Sequence, residues 1–200
     1  MIYKRDYSSK RSEWSQRMSQ TIVLPQLYRP LFGAVSVDHG RSPFWGKPSE
    51  WDLLGTDALL ITEEGAKVLL GERFRRMKYA QFGDITLRWR SSMTGDLLEA
   101  HSLNCQYFVY AYVDEEKGVL GAWWVLYPNK FLEGIRSGAL SGKEETNPGK
   151  GGSIFMAFKP QDLEREGCIY RHNNYRLDGL GEKSEVLDRK SEQMRLGGLG

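Results

Sequence analysis

Short apolar runs separated by turn residues occupy the middle of the chain, and their pattern predicts β-strands. DALLIT at 57–62 and AKVLLGERF at 66–74 flank the turn residues EEG, which is typical of a β-hairpin. In DITLRWRS at 84–91, apolar and polar positions alternate, which predicts a third strand with one apolar face. We expect these three strands to form a meander.

The remaining elements follow from the same kind of pattern. Three more apolar strands are predicted, at 106–114, 121–129 and 153–160. Helical spacing of apolar residues predicts helices at 9–28, 95–105, 129–138 and 160–167. Pro25 and Pro30 are expected to limit the first of these helices. Residues 31–50 and 141–152 are rich in Gly, Ser and Pro or in charge and are predicted to be loops.

This order of elements predicts an α+β or α/β fold with a central mixed β-sheet and helices on its faces. The 200 residues are enough for one domain of ordinary size. We assign that domain to 1–175, with a helical N-terminal segment at 9–28 and a core at 50–170. The charged tail at 176–200 is expected to be peripheral.

Basic residues are concentrated in one part of the sequence, although the formal net charge is only +2. Between positions 73 and 90, Asp84 is the only acid. The basic residues there are Arg73, Arg75, Arg76, Lys78, Arg88 and Arg90. We expect them to bind the phosphate backbone of a nucleic acid. The alternative is a solvated edge strand whose charges prevent aggregation.

The cysteines, the histidines and the lengths of the apolar runs exclude several classes of protein and site. The two cysteines, Cys105 and Cys168, are outside any CxxC motif, so neither a disulfide framework nor a zinc site is expected. No apolar run reaches the length of a membrane span, and no signal peptide is visible. A cytoplasmic location is therefore predicted. The three histidines are widely separated and have no partner at the spacing of a nucleophilic triad, so no catalytic role is predicted for them.

Two carboxylates flank the predicted hairpin. Asp57 opens its first strand and Glu72 lies near the end of its second. Two acids on neighbouring strands can hold one divalent cation, because Mg²⁺ prefers hard oxygen ligands and keeps several waters. Such an ion can activate water for phosphodiester hydrolysis. The alternative roles are a strand-start residue for Asp57 and a solvent-facing ion pair for Glu72.

An acid on strand two, a hairpin, an acid on strand three, further strands and a helix resemble the layout of the PD-(D/E)XK nuclease superfamily. WDLLGTDALLIT, which supplies Asp57, and LLGERFRR, which supplies Glu72, carry the resemblance. The stretch from FGDITLRWRS to LYPNKF is similar to small nuclease-like proteins of phages and mobile elements. The resemblance covers about residues 50–135. It implies a restriction-endonuclease-like core with endonuclease or exonuclease activity.

The resemblance also implies a cofactor, a substrate and a location. Mg²⁺ or Mn²⁺ would be held by Asp57 and Glu72, and Glu50 is the first candidate for a third acid because of its proximity to Asp57. Nucleic acid is the implied partner, with DNA as the first expectation. A phage-encoded protein would act in the host cytoplasm.

The sequence departs from the superfamily at one position. The second half-motif of the superfamily is acid-any-lysine, but Phe74 stands where the lysine is expected. Strand alternation places Phe74 on the face of Glu72 and the neighbouring arginines on the other face, so an arginine does not replace the lysine. Lys67 and Lys78 are the nearest lysines in sequence.

Three functions therefore stay open. The first is a metal-dependent nuclease with a non-standard motif. The second is a nucleic-acid-binding module that has lost catalysis. The third is an interaction protein of a phage or mobile element, which binds a protein partner through its tail or its aromatic residues. The aromatic side chains of the two apolar strands are expected to be core residues rather than a base-stacking surface.

Overall fold

The computed structural model shows a mixed α+β fold built on a six-stranded mixed β-sheet. The structure describes residues 9–40, 56–92, 94–95, 97, 99–101, 103–146 and 153–173. Glu50 and the predicted tail at 176–200 lie outside the described residues. No helix in the described ranges is long and apolar enough to cross a membrane.

A long helix precedes the sheet. It consists of α1 (Ser9–Met18), a π-helical segment (Ser19–Tyr28) and α2 (Arg29–Phe32). The helix predicted at 9–28 is confirmed, but neither Pro25 nor Pro30 ends it. The N–H of Arg29 bonds to the carbonyl of Leu24, five residues earlier, and this wide turn spans Pro25, which has no N–H. The helix ends at Gly33, whose φ of 64° favours glycine.

Nine strands in the described ranges form two sheets. They are β1 (Ala34–Asp38), β2 (Ala58–Thr62), β3 (Lys67–Arg76), β4 (Ile85–Ser91), β5 (Tyr107–Asp114), β6 (Val119–Leu126), β7 (Lys143–Thr146), β8 (Ser153–Phe158) and β9 (Ile169–His172). The large sheet has the order β1-β2-β3-β5-β6-β9, and the small sheet has the order β4-β8-β7. Within the large sheet β3 and β5 are parallel, and the other neighbours are antiparallel.

Most predicted elements are confirmed, including the β2–β3 hairpin, the β5–β6 pair, β8 and two helices. The helices are α3 (Pro128–Ser137) and α4 (Pro160–Arg165). The predicted meander of three strands is wrong, because β4 leaves the large sheet. A 3₁₀ helix at Met77–Phe82 follows β3, and β4 then pairs with β8. Ile85 and Leu87 of β4 are buried beside their cross-strand partners Phe158 and Met156 of β8.

Other predictions fail where the elements are short. β1 lies in the predicted loop at 31–50, and β7 lies in the predicted loop at 141–152. The predicted helix at 95–105 is only a 3₁₀ turn at Glu99–His101. Both missed strands are largely exposed, so they lack the continuous apolar run of a central strand.

The large sheet has a hydrophobic core on each face. The helical segment covers one face, where Leu70 and Phe74 of β3 are buried. The small sheet, α3 and α4 cover the other face, where the side chains of Phe108, Tyr110 and Tyr112 are buried. Core packing is thus confirmed for these aromatic residues of β5. Because alternate residues of a strand face opposite sides, β5 also contributes Val109, Ala111 and Val113 to the helix-covered core.

We expect Gly71→Ala to destabilise the fold more than Gly121→Ala. A Cβ at Gly71 would lie 2.7 Å from Cδ2 of the fully buried Phe108 and 3.1 Å from Sγ of Cys105. Overpacking of this kind costs about 1–3 kcal/mol. At Gly121 the new methyl group meets the flexible end of Met77, which can move aside. Urea unfolding of both variants tests the difference, and equal losses would contradict it.

Candidate functional site

The side chain of Glu72 is the central feature of the helix-covered face. It lies between Leu70 and Phe74 on β3, and only 2% of it is exposed. Burying an ionised carboxylate is costly unless hydrogen bonds replace the lost water. The neighbouring segments supply these bonds.

Three side chains bond to the Glu72 carboxylate. The hydroxyls of Ser19 and Tyr28 donate to Oε1, at 2.8 Å and 2.5 Å. Nε2 of His39 lies 3.0 Å from Oε2. Because an ionised carboxylate only accepts hydrogen bonds, Nε2 carries the proton in this pair. Both oxygens of Glu72 therefore have partners, and those partners come from two separate parts of the chain.

The π-helical segment explains why Ser19 and Tyr28 can act together. Both side chains are buried against the sheet, at the first and the last residue of this segment. π-helical turns are rare and often occur at functional sites. Here the unusual helix presents two hydroxyl groups to one carboxylate oxygen.

Asp57 lies directly beside Glu72, as the sequence predicted. Its Oδ2 accepts the backbone N–H of Glu72 at 2.8 Å, and its own N–H donates to the carbonyl of Leu70. Strand β2 pairs with β3 only as far as the pair Ala58–Leu70. The Asp57 carboxylate thus accepts the N–H of Glu72, just beyond the end of the pairing with β2. Beyond Leu70, β2 no longer pairs with β3, and β3 continues beside β5 as far as Arg76.

The charges of the site shift the pKa values of its neighbours. Burial raises the pKa of Tyr28 well above its ordinary value, and the adjacent Glu72 raises it further. For His39, burial lowers the pKa, but the hydrogen bond to Glu72 and the charges of Glu72, Asp57 and Asp38 outweigh it. The net pKa of His39 is therefore raised, so the imidazole is held as a partner of the acidic pair.

His39 contacts Glu72, but the sequence analysis did not include it in the candidate site. Its side chain is 9% exposed and follows β1 directly. Since the sequence predicts a loop at 31–50, it gives no reason to place this ring against the sheet. The apolar residues Ala34 and Val37, both buried, were the available signal for an edge strand that ends next to His39.

The predicted metal ligands are only partly assembled by the described residues. Asp57 and Glu72 are together, whereas Glu50 is not among the residues described. Within the described ranges, no three His, Cys, Asp or Glu side chains form a metal-binding group. The oxygen donors present are therefore two carboxylates.

No lysine replaces the missing motif residue in the described part of the chain. Phe74 is 8% exposed and packs in the helix-covered core. Lys67 is exposed at the start of β3, and the Lys78 amine lies 5.2 Å from the centre of the Tyr79 ring. Phe74 therefore differs from the motif lysine in sequence, and neither Lys67 nor Lys78 takes the place of that lysine in the structure.

Four of the six predicted phosphate-binding residues lie near one another. Arg75 bonds to Thr86 of β4, and both Arg75 and Lys78 lie over the ring of Tyr79. Arg73 lies over Phe155, the cross-strand partner of Arg88. We call the group Arg73, Arg75, Lys78 and Arg88 the basic face. It lies on the side of β3 opposite to Glu72.

The other two basic residues have separate environments. Arg76 lies over Trp14, near Arg17 and Glu115. Arg90 forms a salt bridge of 3.1 Å with Glu144 on β7. The unpredicted strand β7 thus brings an acid, Glu144, to Arg90, and the six predicted residues do not all share one environment.

No protein-family model matches the chain. The searches of the curated proteins and of the solved structures gave no significant match. The resemblance to the PD-(D/E)XK superfamily therefore stays a prediction from the sequence.

Tyr28→Phe is expected to cost more stability than Tyr112→Phe. Tyr28 donates to a buried charge, and loss of such a bond costs about 1.5–3 kcal/mol. Tyr112 donates at 2.7 Å to the neutral backbone carbonyl of Asp84, a bond worth about 0.5–1.5 kcal/mol. The free energies of unfolding in urea give the comparison. A larger loss for Tyr112→Phe would show that the Glu72 carboxylate does not depend on Tyr28.

Stability at alkaline pH is expected to depend on Cys105. Burial raises the pKa of this thiol from 9.0 to about 12, and the charge of Asp57 adds to the effect. Above the pKa of the unfolded state, the unfolded chain loses the proton while the folded chain keeps it. The free energy of unfolding therefore falls by about 1.4 kcal/mol for each pH unit between the two pKa values.

Cys105→Ala removes this contribution and should flatten the decline between about pH 9 and pH 10. The measurement is the difference between wild type and Cys105→Ala in urea unfolding at each pH, because other buried groups titrate equally in both. Parallel curves would contradict the assignment.

Proposed function

We propose that the chain hydrolyses phosphodiester bonds of nucleic acid, with DNA as the first candidate, at the site around Glu72. One observation carries the proposal. A carboxylate that is almost fully buried lies beside a second acid, at the point where β3 loses its partner strand. The pKa values of Tyr28 and His39 beside Glu72 are raised, and groups with shifted pKa values occur preferentially at functional sites.

The strand order supports the same proposal. A helix precedes three antiparallel strands, β1 to β3, and a crossover then leads to β5, which is parallel to β3. Asp57 directly precedes the second of these strands, and Glu72 lies in the third. This is the position of the acids in the layout of the PD-(D/E)XK superfamily. A restriction-endonuclease-like core is therefore part of the proposal.

The oxygen donors fit a divalent cation. Mg²⁺ is commonly bound by one or two carboxylates, and waters and substrate phosphates complete its shell. Asp57 and Glu72 would hold Mg²⁺ or Mn²⁺ once the ion has displaced the hydroxyl groups of Ser19 and Tyr28 from Glu72. When bound, the ion would neutralise phosphate charge and activate water. Without the ion, Ser19 and Tyr28 hold the Glu72 carboxylate in place.

The basic face can bind the same strand of nucleic acid. Arg73 and Arg75 lie on the opposite side of β3 from Glu72, but both sides meet at the edge of β3 beyond the end of its pairing with β2. A backbone that follows this edge would place its phosphates between the basic face and the acidic pair. Phosphate contacts of this kind position a nucleic acid without reading its sequence.

A second candidate is a binding module without catalysis. The observation that favours it is Phe74, which fills the lysine position with a buried aromatic ring. In this case the basic face binds nucleic acid, and the Glu72 network only stabilises the fold. Hydrolysis assays separate the two candidates.

For the nuclease, we expect Asp57→Asn and Glu72→Gln to lower cleavage by at least ~100-fold. Plasmid, linear and single-stranded DNA and a single-stranded RNA are incubated with Mg²⁺ or Mn²⁺. Glu63→Gln, in the exposed β2–β3 turn, is the matched control and should keep full activity. Cleavage by Asp57→Asn at the wild-type rate would remove the proposed site, and no cleavage by wild type would leave the binding module.

For nucleic-acid binding, Arg75→Ala and Arg88→Ala should weaken the affinity without any metal. Each lost phosphate contact lowers the slope of log K against log salt by about 1. Arg90→Ala is the control, because its guanidinium is already paired with Glu144. Fluorescence anisotropy at several salt concentrations measures the slopes. Equal effects of all three variants would show that the basic face has no special role.

A further inference from the structure

Two exposed aromatic rings lie beside the basic face. Tyr79 and Phe82 belong to the 3₁₀ helix at Met77–Phe82, which follows β3 directly, and Phe82 is 63% exposed. Phenylalanine is among the residue types that are most often buried, so an exposed ring close to a second exposed ring is informative. We call Tyr79 and Phe82 the aromatic pair.

The type of helix places both rings on the same side. A 3₁₀ helix has three residues per turn, so side chains at positions i and i+3 eclipse each other. Tyr79 and Phe82 have this spacing, and their backbones are about 6 Å apart along the helix axis. Gly83, whose φ of 61° favours glycine, ends the helix directly after Phe82. The aromatic pair therefore projects from a regular element in one direction.

Positive charges adjoin the aromatic pair. The guanidinium carbon of Arg75 lies 4.7 Å from the centre of the Tyr79 ring, and Nζ of Lys78 lies 5.2 Å from the same centre. Two residues before Arg75, on the same face of β3, Arg73 lies over the ring of Phe155. Cations and aromatic rings are thus interleaved on one surface.

This interleaving fits a single strand of nucleic acid better than a duplex. In a duplex the bases are stacked on one another, so a protein surface reaches phosphates, sugars and base edges. A single strand offers the flat faces of its bases as well as its phosphates, and aromatic side chains beside a basic surface bind both. A duplex would use the cations of the basic face and leave Phe82 in water.

We propose that the chain binds single-stranded nucleic acid, with phosphates on the basic face and bases stacked on Tyr79 and Phe82. The inference rests on the proposed function and names the form of its substrate. Tyr79 follows Glu72 by four residues of β3 and three of the helix, a distance of at most about 20 Å. One strand can therefore reach both the aromatic pair and the site around Glu72.

Fluorescence anisotropy with three labelled probes tests the stacking. The probes are a single-stranded oligo-dT, the same strand paired with oligo-dA, and an abasic strand of equal length, which keeps the phosphates but has no bases. We expect Phe82→Ala to weaken binding of oligo-dT by at least ~5-fold, the lower end of what one stacked base contributes. Its affinity for the duplex and for the abasic strand should equal that of the wild type.

Three further variants show whether the aromatic face is what matters. Phe82→Trp keeps a stacking face and should bind oligo-dT like the wild type. Phe82→Leu keeps an apolar side chain without that face and should bind nearly as weakly as Phe82→Ala. Val35→Ala is the matched control, because it shortens an exposed apolar side chain on β1, and it should change nothing.

The salt dependence separates stacking from charge. Phe82→Ala removes no cation, so the slope of log K against log salt should stay at the wild-type value on oligo-dT. Arg75→Ala should lower the slope by about 0.7 on a single strand. A slope that changes equally in both variants would overturn the stacking role of Phe82.

The outcomes separate this inference from the proposed function. If Phe82→Leu binds oligo-dT as tightly as the wild type, or if Phe82→Ala loses affinity equally for all three probes, stacking is overturned and the hydrolysis can still stand. If the wild type binds oligo-dT in the expected way but cleaves no polymer, the hydrolysis fails and the single-strand inference stands. Oligo-rU in place of oligo-dT tells whether RNA or DNA is preferred, and the same Phe82 dependence on either supports the inference.

Discussion

The burial of the Glu72 carboxylate is the constraint on which the helix-covered face depends. A charge that is 2% exposed needs hydrogen bonds from the protein, and the helix provides two of them through Ser19 and Tyr28. These bonds fix how the helix lies on the sheet, since a rotation of the helix would leave the carboxylate unpaired. The π-helical form of residues 19–28 fits this demand, because it sets both hydroxyls against one oxygen.

The pairing of strand β3 changes at the same point, where β2 ends on one edge and β5 begins on the other. Strand β3 pairs with β2 up to Leu70 and with the parallel β5 from Leu70 to Arg76. Just beyond the end of β2 pairing, the side chain of Asp57 accepts the hydrogen bond from the backbone N–H of Glu72, in place of a strand carbonyl. The acids therefore lie where the pairing of β3 with β2 ends, and the strand alternation places Arg73 and Arg75 on the opposite face. Strand β3 thus supplies Glu72 to the acidic pair and two of the four residues of the basic face.

The sequence predicts those parts of the fold that depend on local patterns. Alternation and turn residues identify the β2–β3 hairpin, and with it the proximity of Asp57 and Glu72. They do not identify β1, whose exposed positions resemble a loop, and so they miss His39. The sheet that β4 joins also cannot be predicted from its local sequence pattern. It depends on pairing with β8, more than sixty residues further along the chain.

Phe74 and His39 together explain how a polar site exists in this layer. A lysine at position 74 would lie in the apolar packing under the helix, where desolvation disfavours its charge. The phenylalanine instead continues that core, so the polar groups around Glu72 must enter from other directions. They come from the helix, through Ser19 and Tyr28, and from the end of β1, through His39. Phe74 in the apolar core and His39 beside Glu72 are thus both consequences of how this layer packs.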